Sequence, residues 1–314
     1  MQDPLLPDLV QARAYLSHRY QTPLSNLTLV GEGEWSRAYG FRLEGEELVA
    51  RFGPYREDFE KDALMARIPH AGVPIPSVLD AAPTPWGHMQ VAERVHGRFL
   101  DDLDDPSLRL VLPHLLSVLD DLAAVVVPGQ RGYGLFNPEG RAPHSSWAEA
   151  LLFAGEDDPA RRVHGWRDRL AASATGTAPF DRALGVLQSL ARDLPDAVHV
   201  IHQDLLHRNV FVSRAQVCGV IDWGNALFGD FLYDWAFILY WLPFTPGGRT
   251  IDARALFSRH WEQTGRVPEQ ADTRLLAYQI HIGLDAQAYN AFQGRFDEVA
   301  RYAAHTLALL RERD

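Results

Sequence analysis

Lysine is almost absent from this chain: Lys61 is the only one, and arginine supplies every other fixed positive charge. Basic side chains are also short overall, 30 Lys and Arg against 41 Asp and Glu, for a formal charge of −11. That balance excludes a nucleic-acid binder working through a broad basic surface, and it suits a cationic small molecule. Cysteine is as scarce. Cys218 stands alone, which excludes an intramolecular disulfide and a cysteine-built zinc cage and fits a reducing compartment. Its apolar setting, "VCGVIDW", predicts a buried structural thiol. No apolar run is long: "WAFILYWLPF" falls well short of the roughly 20 residues that span a bilayer. The opening "MQDPLLPDLV" has acids and prolines where a signal peptide needs positive charge and an apolar centre. The expectation is a cytoplasmic protein, monomer or homodimer, with no membrane and no nucleic-acid partner.

What is present is ordinary globular material, 46% hydrophobic and 23% charged over 314 residues, enough for two lobes with separate cores. Residues 8–20 read as a helix. "LTLV", "SRAYGFRL" and "ELVARFG" read as strands separated by "GEGEW" and "EGEE". "REDFEKDALMARI" reads as a helix stopped by Pro69, and "SVLDAA" and "HMQVAERV" as two more strands leading to Gly97. Beyond Gly97 apolar residues recur at helical spacing. The only strand-like pieces there are Val198–Ile201, Val210–Ser213 and Val217–Ile221. The class is therefore α+β, with a small antiparallel sheet in residues 1–96 and a larger, mainly helical part in 97–314.

One stretch concentrates the chemistry. In "VIHQDLLHRNVFV" (residues 200–212), Asp204 and Asn209 lie on a loop between two β-branched runs, and a third run ends at Asp222 in "VIDW". A carboxylate at Asp204 can orient a hydroxyl and accept its proton. Asn209 and Asp222 are oxygen ligands suited to Mg²⁺, which takes one or two carboxylates and completes its shell with phosphates and water. Asp and Asn also form plain turns. The order H-x-D-x-x-x-x-N followed by a strand ending in Asp nevertheless matches the apparatus of phosphoryl transfer from ATP. His199, His202 and His207 do not have the setting of a metal cluster, and His202 is expected to brace the loop by hydrogen bonding.

With "GVIDWGNALFGDFLYDWA", this loop resembles the aminoglycoside phosphotransferases, relatives of choline kinases and protein kinases. Within that family, "GEGEWSRAYGF", "VPIPSVLD", "VIDWGNALFGD" and "HIGLDAQ" are most similar to the hygromycin B phosphotransferases, over about Leu29 to Asp297. The resemblance implies a protein-kinase-like bilobal fold, with nucleotide bound by 1–96 and the acceptor by 97–314. It implies Asp204 as the catalytic residue, Asn209 and Asp222 at Mg²⁺, and Gly31, Gly33, Ser36 and Arg51 at the ATP phosphates. Arg51 stands where the wider family has lysine. The backbone carbonyl of Glu93 and N–H of Val95 would hold adenine. Which acid pairs with Arg51, and whether Lys61 reaches a phosphate, the sequence leaves open. Asn225, Asp234, Trp235, Trp241 and Asp285 are the acceptor candidates, because carboxylates and aromatic faces attract a cationic aminosugar. Asp230 is expected to be structural. The implied activity is phosphorylation of an aminoglycoside hydroxyl, with inactivation of the antibiotic. Two rivals are a kinase of another hydroxyl compound (amino alcohol, sugar or other antibiotic) and a nucleotide-binding pseudokinase, which Arg51 keeps open.

Overall fold

A computed structural model of the chain describes residues 6–70 and 72–311. Helix α1 (Leu9–Tyr20) starts in a capping box: Asp8 accepts the N–H of Gln11, and the Gln11 side chain accepts that of Asp8. Strands β1 (Ser25–Glu32), β2 (Arg37–Leu43) and β3 (Glu46–Gly53) follow, then helix α2 (Arg56–Arg67), then β4 (Val78–Thr84) and β5 (Gly87–Glu93). These five strands form one fully antiparallel sheet in the order β1-β2-β3-β5-β4. Alternation along β2 and β3 sends Tyr39, Phe41, Leu48, Ala50 and Phe52 into a core beneath α1, which contributes Ala12 and Leu16.

The chain then crosses to the helical part through β6 (Arg98–Phe99), α3 (Asp105–Ala123), β7 (Gly134–Leu135), α4 (Trp147–Leu152), α5 (Trp166–Ala172) and α6 (Ala178–Leu190). Strands β8 (His199–Ile201), β9 (Val210–Ser213), β10 (Gln216–Val220) and β11 (Leu227–Gly229) come next, followed by α7 (Leu232–Trp241), α8 (Ala253–Thr264), α9 (Ala271–Gln293) and α10 (Phe296–Arg311). Strands β6, β7 and β11 have no counterpart in the sequence reading. Each is two or three residues long, too short to show a period, and exists only by pairing with β9 or β8–β11 neighbours.

Two glycines fix the crossing. A Cβ on Gly97 would lie 2.7 Å from the Val212 carbonyl oxygen, and one on Gly219 would lie 2.6 Å from Val95. Only bare backbone lets the connector run this close over the β9–β10 hairpin. Cys218, expected to be buried, is instead half-buried beside the same connector, its thiol donating to the His96 carbonyl at 3.4 Å. No helix among the described residues is long and apolar enough to cross a membrane.

Candidate active site

The loop between β8 and β9 is suspended from side chains rather than from a sheet. Both oxygens of Asp234, on α7, accept backbone N–H groups from it: His202 at 2.8 Å and Gln203 at 2.9 Å. The His202 ring accepts the N–H of Asp204 at Nδ1 (3.2 Å), so Nε2 carries the proton and donates to the Ile221 carbonyl at 2.9 Å. His202 thus braces the loop by hydrogen bonding, as expected, and ties it to the strand end that carries Asp222. Asn209 adds a second tie. Its Nδ2 donates to the Asp204 carbonyl at 2.8 Å, and its own carbonyl accepts the Ile221 N–H at 2.9 Å. Side-chain and backbone hydrogen bonds therefore tie the loop that carries Asp204 and Asn209 to Ile221, the residue before Asp222.

The backbone is strained here. Gln203, Arg208 and Asp222 are non-glycine residues with φ of 69°, 65° and 63°, a conformation that costs an L-residue on the order of 1–2 kcal/mol. Arg208 is held in it by two acids: its N–H donates to Asp101 at 3.3 Å and its guanidinium to Asp102 at 3.0 Å.

Arg51 is the electrostatic hub. Its Nη1 lies 2.8 Å from Asp222 Oδ1, its Nη2 contacts Asp62 Oδ2, and its guanidinium sits 4.7 Å from the Phe59 ring centre. Asp62, on α2, is the acid that the sequence could not identify. Its other oxygen accepts the Trp223 N–H at 2.7 Å. Burial and the neighbouring Asp222 raise the Asp62 carboxyl against the pull of Arg51, while burial of Asp222 is outweighed by Arg51, which holds that carboxyl low. Lys61, whose role the sequence left open, points into the interior. It is fully buried, with Nζ donating to the carbonyls of Gly224 and Ala226 at 2.8 Å each, 4.4 Å from the Phe136 ring centre. Consecutive residues of α2 therefore clamp the turn that follows Asp222.

As a magnesium site, the donor set fits. Asp222 offers an anionic carboxylate whose side chain is 41% exposed, and Asn209, with Nδ2 engaged, has Oδ1 as its acceptor end.

Gly33 closes the β1–β2 turn by donating to the Ser36 carbonyl at 2.9 Å, placing Gly33 and Ser36 at the tip. Gly31 lies within β1 opposite Ala38, where a Cβ would meet only the Ala38 Cβ at 3.6 Å. Glu34, at that tip, contacts Arg295 and accepts from Gln293 at 2.9 Å, spanning from sheet to helices. Glu93 ends β5, its N–H and carboxylate both paired to the Ser77 backbone, and Val95 follows on the connector.

Two of the acceptor candidates are overturned. Asp234 is 2% exposed, with both carboxylate oxygens engaged by the β8–β9 loop. Trp235 is 0% exposed, packed against Phe257 and Trp261 at 4.8 and 5.0 Å between ring centres. Helix α7 is buried nearly all round, so it has no cleft-facing side at these positions. Asn225 is exposed just beyond Asp222. Trp241 is half-buried, and Asp285 is half-exposed and paired with Arg161 at 3.3 Å. Asp230 is structural, as expected. Fully buried, it takes Arg274 through two oxygens at 2.6 and 2.7 Å and accepts Tyr278 and the Leu232 N–H.

The sequence reading weighed His207 only as a metal ligand and missed its contact with Asp204. Its Nδ1 contacts Asp204 Oδ1, and its ring packs edge-on to Trp241 and Phe237 at 4.8 and 5.5 Å. Burial lowers its pKa, but Asp204 more than offsets this and raises it.

An antiparallel sheet lobe followed by a helical part, with an acid and an amide on one loop tied to a strand end that carries a second acid, is the architecture of kinase-like phosphotransferases. The sequence matches the model of the phosphotransferase enzyme family over residues 26–270, and the chain belongs to that family. Hygromycin-B 4-O-kinase of Escherichia coli is 31% identical over 280 residues, spanning 88% of this chain and 78% of that protein. The crystal structure of aminoglycoside phosphotransferase APH(4)-Ia superposes with a TM-score of 0.82 at 29% identity, covering 96% of this chain and 97% of that one. A thermostable mutant of it, in ternary complex with AMP-PNP and hygromycin B, gives 0.83 at 29% identity over 95% and 97%. The GDP complex of aminoglycoside 2'-phosphotransferase-IIIa shares the fold, with a TM-score of 0.66 at 14% identity over 98% of this chain and 100% of that one.

Proposed function

We propose that the protein transfers the γ-phosphoryl group of ATP to a hydroxyl of an aminoglycoside, hygromycin B at its 4-hydroxyl, and thereby inactivates the antibiotic. The observation that carries this reading is the hydrogen-bonded tie between the loop bearing Asp204 and Asn209 and the strand end bearing the Arg51-paired Asp222. The relatives supply the acceptor: one is named for that reaction, and another binds hygromycin B beside a nucleotide analogue.

In this reading residues 1–96 hold nucleotide and 97–314 hold the acceptor. The Gly33–Ser36 turn, with Gly31, faces the phosphates. Arg51 joins them, since a guanidinium has five donors and its two carboxylates do not use them all. The Glu93 carbonyl and Val95 N–H take adenine. Asn209 and Asp222 would hold Mg²⁺, which supplies charge neutralisation at the phosphates when bound. Asp204 orients the acceptor hydroxyl and takes its proton as the new O–P bond forms and the bond to ADP breaks. Because the transition state is loose, alignment should matter more than base strength. Asn225, Trp241 and Asp285 face the aminosugar, whose positive charge the acidic chain attracts. The reaction belongs in the cytoplasm, where ATP is found.

The test is ADP release by the purified protein with Mg-ATP and a panel of acceptors, with phosphorus NMR locating the ester. Hygromycin B should be turned over, and Asp204→Ala should abolish turnover without lowering the melting temperature. Transfer only to an amino alcohol or simple sugar would overturn the acceptor, and transfer to nothing would leave a nucleotide-binding interaction module. Undiminished transfer by Asp204→Ala would overturn the assignment of the acid.

A further inference from the structure

The carboxylate of Asp204 is less constrained than the rest of its loop. Its backbone N–H and carbonyl are both fixed, by His202 and Asn209. Among the described residues, only His207 forms a hydrogen bond or ion pair with its side chain. A carboxylate turns freely about its last torsion, which has broad minima, so an untethered Asp204 would present either oxygen at many angles. His207 is itself seated. Trp241 and Phe237 meet its ring edge-on at 74° and 84°, and both lie on α7, the helix whose Asp234 anchors the start of the loop. The left-handed turn at Arg208, pinned by Asp101 and Asp102, follows immediately and fixes the backbone that carries the ring.

We propose that His207 is a positioning residue for phosphoryl transfer: through Nδ1 it fixes one oxygen of Asp204 and leaves the other aimed at the acceptor hydroxyl. The inference rests on Asp204 as the group that takes the hydroxyl proton. When the hydroxyl oxygen bonds to the γ-phosphorus and the bond to the ADP oxygen breaks, the proton passes to Asp204 Oδ2. His207 forms no bond to substrate and acts only by limiting where that oxygen points. The same contact admits an opposite arrangement, in which Asp204 orients the imidazole and Nε2 takes the proton, as in a Ser-His-Asp triad. The two differ in which ring nitrogen is indispensable.

Asparagine separates them, because its Nδ2 donor can occupy the place of the imidazole Nδ1 while nothing replaces Nε2. The experiment measures kcat and both KM values with Mg-ATP and hygromycin B for wild type, His207→Ala, His207→Asn and Asp204→Asn with and without His207→Ala. Loss of one charge-assisted contact should lower kcat of His207→Ala about 10- to 100-fold, with KM for ATP changed less than about twofold. His207→Asn should recover to within about threefold of wild type, and His207→Ala should add nothing to Asp204→Asn. An asparagine variant as slow as alanine would overturn the proposal in favour of Nε2. Wild-type kcat in His207→Ala, or additive losses in the double variant, would overturn it outright. Should the alanine variant not fold, the asparagine variant and the residual rate of Asp204→Asn still decide. An inactive Asp204→Ala beside a normal His207→Ala would sink this inference alone, whereas an active Asp204→Ala would sink the reading beneath it.

Discussion

Replacing Arg51 by lysine keeps the charge and removes the fork. In the native site one guanidinium spans two carboxylates, Asp222 at 2.8 Å through Nη1 and Asp62 through Nη2, over the face of Phe59. A lysine ammonium is a point charge and reaches one carboxylate well. Asp62 has a side chain only 12% exposed against 41% for Asp222, so water competes least there and the lysine should settle on Asp62. Asp222 then loses one charge-assisted hydrogen bond, worth about 1.5–3 kcal/mol. If that bond fixes the carboxylate during transfer, kcat/KM for ATP should fall roughly 10- to 150-fold. Stability should hardly change, because the more deeply buried acid keeps its cation. Arg51→Ala differs in kind. Asp62 is left buried and unpaired, at a cost of about 3–5 kcal/mol out of a typical total of ~5–15. The assay pairs ADP-release kinetics with urea unfolding. Arg51→Lys within about threefold of wild type in kcat/KM would refute the bridging argument, as would a variant in which activity and stability fall in step.

Three further outcomes follow from buried polar groups. Asp234→Asn keeps one acceptor oxygen and turns an NH2 toward the other loop N–H, so urea unfolding should show a loss of about 1–3 kcal/mol; under ~0.5 would be a refutation. Burial pushes the Lys61 pKa down to about 7 from 10.5 unfolded, against the pull of Glu57, Asp58 and Asp62. Between those values the unfolded chain binds more protons. Unfolding free energy should therefore rise with pH, by at most ~1.4 kcal/mol per unit, and Lys61→Met should flatten the rise. Equal slopes would count against it. Arg274→Met strands the fully buried Asp230 and should cost about 3–5 kcal/mol. Adding Asp230→Asn should return much of that, and a double variant no more stable than the single would refute the account.

Elements that carry their own signal were legible in the sequence. The five sheet strands, α1, α2 and the acid–amide–acid spacing of Asp204, Asn209 and Asp222 all depend on neighbours within a few residues. What was not legible is what joins distant segments. Asp62 meets the Trp223 backbone 161 positions away, and Lys61 meets Gly224 and Ala226 across 163 and 165. Nothing in "FEKDAL" distinguishes those two side chains from a solvated helix face, because burial here is imposed by the opposite lobe. Strands β6, β7 and β11 are illegible for the same reason, since their ladder partners alone define them.

Asp234 and Trp235 are different, because a signal for them existed. "LYDWAFILYW" has no polar side at helical spacing, and a helix apolar all round belongs in a core. A single carboxylate in such a helix cannot face solvent, and a buried carboxylate needs donors. Backbone N–H groups outside the helix are one supply of such donors, and a loop leaving a three-residue strand has them unpaired. That reasoning leads from Asp234 to His202 and Gln203 without any cleft. It also places α7 behind the β8–β9 loop, so that the wall against which His207 rests is the helix that holds the loop in place.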